Sequence, residues 1–143
     1  PKGPTVLEYN VRFGDPEAQV IMPLLDGDWG YVFSRLAHGE MAPLKWKSLQ
    51  MACVVLAAQG YPDAPVKDAV IEGDLGYQGA SSYFLHAGTA KKDGHWVTNG
   101  GRVLNAIGMG SSRAEALREA YAQAKHARWK GIQMRSDIGA KSR

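Results

Sequence analysis

The sequence predicts an α+β fold in which two short helices precede a β-rich region that carries one longer packing helix. Three observations favour this class. Short apolar runs in the second half are separated by Gly, Asp and Pro, as is typical of antiparallel strands. The first quarter has apolar residues at helical spacing, and a single capped helical pattern follows the strands. Pro43 marks the change between the two parts, so we divide the chain into residues 1–42 and 43–143.

The first predicted element is a strand over residues 5–13. Because side chains alternate along a strand, Glu8, Asn10 and Arg12 should lie on one face and the apolar residues between them on the other. Gly14-Asp15-Pro16 is a turn sequence that ends this strand.

Two helices are predicted next. The first runs over residues 16–25, with Pro23 as a break or kink. Asp28 is a capping residue for the second, which runs to about His38, and Gly39 ends it.

The β-rich region begins with an apolar run over residues 48–58, which predicts a fully buried strand, although periodicity alone also allows a buried helix. Asp93-Gly94 predicts a tight hairpin turn. Further strands are predicted over residues 70–71, 82–89, 95–98, 101–108 and 129–134.

Ser112 and Glu115 have the spacing of a capping box, which predicts a helix from there to about Arg128. The residues expected to face the sheet are Leu117, Ala120, Tyr121 and Ala124. The residues expected around the other face include Arg118, Glu119, Gln123 and Lys125.

Composition excludes several classes of protein. Apolar residues make up 45% and charged residues 22%, which is ordinary for a globular protein. The single cysteine, Cys53, excludes an internal disulfide and lies in an apolar run, so we expect a buried, reduced thiol. No apolar stretch is long enough for a membrane span, and the cytoplasm is the expected compartment. A net charge of +3 is too mild to indicate a nucleic-acid partner.

The polar face of the first strand suggests a chemistry. The carboxylate of Glu8 and the amide oxygen of Asn10 are hard ligands suited to Mg²⁺, and the planar fork of Arg12 suits a phosphoryl or carboxylate group. The alternative is an exposed strand face with no ligand, which is common in antiparallel sheets.

Other candidates also have two interpretations. Asn99-Gly100-Gly101 is a tight turn, and with Arg102 its amides could form an anion nest. Asp15 and Glu17 suit a turn and a helix start, but they could also orient Arg12 or a substrate amine. His86 is interpreted as a core histidine bonded to the backbone.

Several motifs resemble blocks of the phosphoribosylamine–glycine ligase family, which belongs to the ATP-grasp superfamily. The strongest is Asn-Val-Arg-Phe-Gly-Asp-Pro-Glu-Ala-Gln-Val at residues 10–20. The others occur in the family order and are Gly60-Tyr61-Pro62, Phe84-Leu85-His86-Ala87-Gly88-Thr89, Val97-Thr98-Asn99-Gly100-Gly101-Arg102-Val103-Leu104 and Asp137-Ile138-Gly139. The match corresponds to the C-terminal third of the family's chain.

The resemblance implies that residues 1–42 end an ATP-grasp catalytic domain. Residues 43–143 would be a β-rich C-terminal domain of the rudiment single-hybrid type. The implied reaction joins glycine to 5-phosphoribosylamine, with ATP hydrolysed to ADP and phosphate through an acyl phosphate, in de novo purine synthesis.

The resemblance also implies roles for residues. Glu8 and Asn10 would hold Mg²⁺ (or Mn²⁺), and Arg12 would stabilise the transferred phosphoryl group. The residues implied to bind substrate are Asp15, Glu17, Asn99, Gly100, Gly101 and Arg102. The expected partners are ATP, glycine, 5-phosphoribosylamine and the remainder of the same polypeptide, without which the chain should be inactive. The alternative is a non-catalytic binding or scaffold module.

Overall fold

The computed structural model describes residues 3–6 and 9–140, and it confirms the α+β class. The helices are α1 (Glu17–Ile21), followed directly by a 3-10 turn (Met22–Leu24), α2 (Trp29–Ala37) and α3 (Arg113–Ala124). The strands are β1 (Gln50–Ala57), β2 (Glu72–Gly73), β3 (Ser82–His86), β4 (Thr89–Lys92), β5 (His95–Thr98), β6 (Arg102–Gly110) and β7 (Ala127–Arg128). None of the helices formed by these residues is long and apolar enough to cross a membrane.

The main sheet has three antiparallel strands in the order β1-β6-β3, so β6 is central. Ala106 in β6 lies opposite Val54 on one side and Phe84 on the other, and all three side chains are buried. The β4–β5 hairpin and the β2–β7 pair are separate two-stranded ladders. The core is therefore built around β6, the central and longest of these strands, which is buried along most of its length.

Helix α3 covers one face of this sheet at very short range. Ser112 accepts a hydrogen bond from the Glu115 amide at 3.2 Å, which confirms the predicted start of the helix. Ala116 and Ala120 are fully buried, and a Cβ placed on Gly108 would collide with the Ala116 carbonyl oxygen and the Ala120 nitrogen. Small side chains on the helix and a glycine on β6 thus let the two backbones approach.

Two predictions about α3 are wrong. Gln123, expected at the polar face, is fully buried because the loop before β3 lies over it, and its amide donates to the Tyr77 carbonyl at 3.0 Å. The helix ends at Ala124 instead of Arg128. Residues 127–128 leave the helical path because they pair with β2.

The predicted strand over residues 5–13 is wrong for the described residues of that range, which form no strand. A strand requires a neighbour for its backbone groups, and no strand of the described residues pairs with this segment. The side chains of Tyr9 and Val11, expected to face the core, are instead 86% and 98% exposed.

The two helical predictions that follow are confirmed. The first is divided into α1 and the 3-10 turn that contains Pro23. The Asp28 side chain accepts from the Gly30 amide at 2.6 Å at the start of α2, and Gly39 has a φ of +74° just after the helix.

A small second core holds the N-terminal segment together around Trp29. Its ring stacks on Phe33 at 5.3 Å and meets Phe13 and Trp46 edge-on at 6.0 and 6.2 Å. Ala42 is buried in the same cluster. Ala42, next to the predicted boundary at Pro43, therefore packs with Leu25 and with Val32 of α2, and the division of the chain into two domains stays a prediction.

The remaining predictions differ in outcome. The run at residues 48–58 is a strand rather than a helix, but burial alternates along β1 because its second face is only partly covered. Asp93 and Gly94 have positive φ at the hairpin turn, as predicted.

Two other predictions are wrong. His86 is exposed instead of buried, with Nδ1 2.9 Å from the Thr89 hydroxyl. No strand forms over residues 129–134, where only Gln133 bridges to Ala57.

The contact between α3 and β6 gives a stability prediction. Gly108→Ala should lower the free energy of unfolding by about 2 kcal/mol, because the added methyl group meets helix backbone that cannot rotate away. Gly27→Ala is the matched control, since its Cβ would lie 3.9 Å from the nearest atom. Urea unfolding at constant m-value measures both changes, and equal midpoints for the two variants would contradict the prediction.

Candidate functional site

The N-terminal segment, residues 5–13, carries three of the predicted site residues, Glu8, Asn10 and Arg12. Glu8 lies outside the described residues. Asn10 and Arg12 are exposed, and the Arg12 guanidinium donates to the Phe13 carbonyl at 2.6 Å. Because the described residues of this segment form no strand, the expected row of side chains on one strand face is absent there.

The structure joins two candidate motifs that are far apart in the sequence. Arg102 Nη1 donates to the Asp15 carbonyl oxygen at 2.6 Å, and its Nη2 lies 3.2 Å from Asp15 Oδ2. The two residues are 87 positions apart. The other carboxylate oxygen of Asp15 accepts from the Gln19 amide at 2.7 Å. Asp15 is thus held between α1 and the start of β6, and it contacts Arg102 rather than Arg12.

The Asn99-Gly100-Gly101 turn fixes the backbone that leads to Arg102. The Asn99 amide donates to the Gly88 carbonyl and the Gly88 amide to the Arg102 carbonyl, each at 2.8 Å. A Cβ on Gly88 would lie 2.7 Å from Gly100 Cα, so the backbones of these two segments are in direct contact. The Asn99 amide is therefore already used within the fold, and a nest formed by the Gly100 and Gly101 amides beside Arg102 stays a prediction.

Arg102 lines an open cleft of about 370 Å³ at the end of β1. The other lining residues are Val55, Ala57, Tyr61, Gln133, Met134 and Arg135. Gln133 reaches this position because it exchanges two backbone hydrogen bonds with Ala57, at 2.8 and 2.9 Å. Gly101 leaves room for the Tyr61 ring, which a Cβ would approach to 2.5 Å.

Arg135 is a second guanidinium in this cleft. It forms a bidentate pair with Asp137, with both N···O distances at 2.8 Å, and Tyr121 Oη donates to its carbonyl at 2.9 Å. The hydrogen bond from Arg135 keeps the pKa of Asp137 below its ordinary value. Sequence reasoning missed Arg135, although it stands just before the Asp137-Ile138-Gly139 motif.

A second cleft of about 610 Å³ lies beside the N-terminal segment. Its lining includes Arg12, Asp15, Gln19, Tyr83 and Leu85. Asp15 lines this cleft and Arg102 lines the first, so their ion pair stands where the two clefts adjoin. The pair is the structural link between the two sets of candidate residues.

Glu17 does not take part in the contact between Asp15 and Arg102. It lines a separate cleft of about 260 Å³, together with Cys53 and Arg113. Its carboxylate lies over the Gly14 backbone, where a Cβ would collide with it.

The described residues give Mg²⁺ an incomplete ligand set. They contain no group of three His, Cys, Asp or Glu side chains placed to hold a metal ion. Asn10 offers one amide oxygen, and Mg²⁺ commonly completes its shell with phosphate oxygens and water. The magnesium role of Glu8 and Asn10 therefore stays a prediction, for an ion that would arrive together with a nucleotide.

Cys53 is a free, half-buried thiol on the sheet face beneath α1. Burial raises its pKa to about 12, and the nearby negative charge of Asp15 adds to the shift. Its Sγ donates weakly to the Asn105 side-chain oxygen at 3.7 Å. The thiol is less buried than the sequence predicts, and its raised pKa makes it a poor nucleophile near neutral pH.

Comparison with known proteins identifies the class first. Residues 51–141 match the family model described as phosphoribosylglycinamide synthetase, C domain. This match covers more than half of the chain, which therefore belongs to the phosphoribosylglycinamide synthetase family, also named phosphoribosylamine–glycine ligase.

Individual relatives agree. The chain is 43% identical to phosphoribosylamine–glycine ligase of Caulobacter vibrioides over 143 positions, covering 97% of this chain and 34% of the relative. It is 41% identical to that of Mesorhizobium japonicum, covering 96% and 33%. The crystal structure of phosphoribosylamine–glycine ligase from Thermotoga maritima matches with a TM-score of 0.79 at 41% identity, over 92% of this chain and 32% of that one. The chain thus spans about one third of the length of these relatives.

The Cys53 environment predicts slow alkylation. At pH 8 the folded protein should react with iodoacetamide roughly a thousandfold more slowly than the urea-unfolded chain, because the pKa is raised from 9.0 to about 12. Between pH 7 and 9 the rate should rise about tenfold per pH unit in the folded protein, whereas it should approach a plateau near pH 9 in the unfolded chain. Mass spectrometry of the adduct measures the rate, and rapid labelling of the folded protein at pH 8 would contradict the prediction.

Proposed function

We propose that the chain works as part of a ligase that joins glycine to 5-phosphoribosylamine, with ATP as co-substrate. Family membership supports the reaction class. The observation that carries the proposal is the contact between Arg102 and Asp15, because it unites two family-like motifs at adjoining clefts. ATP would first phosphorylate the glycine carboxylate. The amine nitrogen of phosphoribosylamine would then attack the acyl carbon and lose a proton while inorganic phosphate leaves.

Arg12 would stabilise the transferred phosphoryl group. It is exposed and lines the cleft that Asp15 also lines, and a guanidinium matches the geometry of phosphoryl oxygens. Phosphoryl transfer depends chiefly on positioning and on electrostatic stabilisation. Glu8 and Asn10 are proposed to contact the Mg²⁺ (or Mn²⁺) that accompanies ATP, which would neutralise charge on the phosphates when bound.

The proposal requires further polypeptide. Relatives are about three times longer, and Val6, Tyr9 and Val11 are largely exposed, with no strand pairing at the described residues around them. Such exposure of apolar side chains favours contact with other protein. We therefore expect the isolated chain to release no ADP in a glycine-dependent assay, and turnover by these 143 residues alone would contradict this view.

The role of Arg12 is tested in the enzyme that contains this chain together with the preceding two thirds. Arg12→Met should lower kcat by about 10²–10³-fold, because a group that meets charge developing in the transition state is lost. Arg35→Met removes a comparable exposed guanidinium, paired with Glu40 at 2.7 Å, and is the control. Glycine-dependent ADP release measures both, and wild-type activity of Arg12→Met would exclude the proposed role.

The competing function is a non-catalytic binding or scaffold module in which Glu8, Asn10 and Arg12 hold no ligand. Asn10→Ala and Glu8→Gln distinguish the two. If the metal assignment is right, each variant should need a higher Mg²⁺ concentration for half-maximal activity. If activity and Mg²⁺ dependence are unchanged in both, the metal role is wrong and the module is the better description.

A further inference from the structure

The cleft at the end of β1 contains two guanidinium groups, those of Arg102 and Arg135. Each is held on one side by a carboxylate, from Asp15 and Asp137 respectively. The two arginines come from different parts of the fold, since one begins β6 and the other follows the bridge between Gln133 and Ala57. Two like charges lining one small cleft point to an anionic ligand.

Both arginines retain donors for such a ligand. A guanidinium has five N–H donors. Arg102 uses Nη1 and Nη2 on Asp15, and its Nε makes no hydrogen bond within the described residues. Arg135 uses Nε and Nη2 on Asp137, which leaves Nη1 without a partner in the same part of the chain. The carboxylates therefore orient the guanidinium groups without using all of their donors.

The remaining walls of the cleft suit a small sugar. Tyr61 offers a half-exposed ring, and Val55 and Ala57 form an apolar wall. The Gln133 side chain makes no hydrogen bond within the described residues, so its amide is available to a hydroxyl group. The volume of about 370 Å³ lies within the usual range for small-molecule sites, about 300–1,000 Å³.

We propose that this cleft binds the phosphomonoester end of a sugar phosphate through Arg102 and Arg135. The inference rests on the proposed function, in which the sugar phosphate is 5-phosphoribosylamine. A phosphomonoester has several charged oxygens and can accept from both guanidinium groups at once. The 5-phosphate of the substrate is the group that does not react, so binding energy gained there orients the amine at the opposite end of the ribose.

The direction of the substrate follows from the adjoining clefts. With the phosphate between the two arginines, the ribose extends past the Arg102–Asp15 pair towards the cleft lined by Arg12. The amine then arrives where the acyl phosphate of glycine is proposed to form. The two ends of one substrate thus correspond to the two clefts.

Asp15 is a positioning residue in this arrangement. It contacts Arg102 through both its carbonyl and its carboxylate, and Gln19 fixes the remaining carboxylate oxygen. Loss of the Asp15 carboxylate should therefore weaken phosphate binding through Arg102.

The test measures Michaelis constants in the intact enzyme. Arg135→Met should raise KM for phosphoribosylamine at least about tenfold while KM for ATP and for glycine stays unchanged, because only the phosphate contact is lost. Arg128→Met is the matched control, since it also removes an exposed guanidinium paired with a carboxylate, Glu72, and lies outside this cleft. The Arg135–Asp137 pair is largely exposed, so the variant should fold, and thermal unfolding checks this.

Asp15→Ala should raise the same KM, and Asp15→Asn should restore part of the loss because its amide oxygen still accepts from Arg102. A fall in kcat with no change in KM for phosphoribosylamine would exclude the positioning role.

Inhibition separates the possible sources of the anion. Ribose 5-phosphate should compete with phosphoribosylamine, and Arg135→Met should weaken that competition. Ribose should not compete. Inorganic phosphate is also a product of the proposed reaction, so its inhibition is compared in wild type and Arg135→Met. If it competes as well as ribose 5-phosphate and the variant weakens both inhibitors equally, the cleft is a simple anion site and the inference of a sugar-phosphate site is wrong.

Failure of the inference is distinguishable from failure of the proposed function. If the wild-type enzyme ligates glycine but Arg135→Met leaves KM for phosphoribosylamine unchanged, only the cleft assignment is wrong. If the enzyme shows no glycine-dependent ligation, the proposed function fails. Calorimetric titration of ribose 5-phosphate into wild type and Arg135→Met then decides the cleft by itself, and equal affinity or no binding would overturn it.

Discussion

The fold depends on how closely α3 lies on the central strand β6. That distance is set by backbone, because Gly108 has no side chain and the helix presents Ala116 and Ala120 to it. A strand pressed so tightly against a helix on one face and paired on both edges has little freedom to shift. The backbone of its first residue, Arg102, is therefore held in place. The turn that precedes Arg102 is also held, by the backbone contact between Gly88 and Gly100. The position of Arg102 in the candidate site is therefore determined by the packing of the interior.

Local patterns predicted most of the elements because their signals are short-range. The Asp28 and Ser112 caps, the Asp93-Gly94 turn and the apolar run of β1 each depend on residues within a few positions of one another. Predictions that depend on distant partners were less successful. The N-terminal strand lacks a pairing neighbour among the described residues, and Gln123 is buried only because a loop some 46 residues earlier in the chain covers it.

The difference between local signals and contacts with distant residues also explains which parts of the candidate site could be predicted. The motifs carrying Asp15 and Arg102 could be recognised one by one, and each was a candidate. That they meet could not be predicted, since it depends on where α1 lies on the sheet. Arg135 was missed for a related reason: the predicted final strand over residues 129–134 ends just before it, and only a single bridge between Gln133 and Ala57 brings it to the cleft. Chemical type could be predicted from sequence, but which residues meet required the fold.

The β4–β5 hairpin has two ends with opposite properties. At its base, Gly88 and Gly100 touch through their backbones, and the chain there leads straight into Arg102. At its tip, a Cβ on Gly94 would meet nothing within 4 Å. The tip therefore lies open to solvent and apart from the clefts, which makes it a natural place to attach a fluorescent label or a short insertion. A reporter at residues 93–94 would leave the interior undisturbed, whereas the same change six residues further along would displace the arginine on which the site is built.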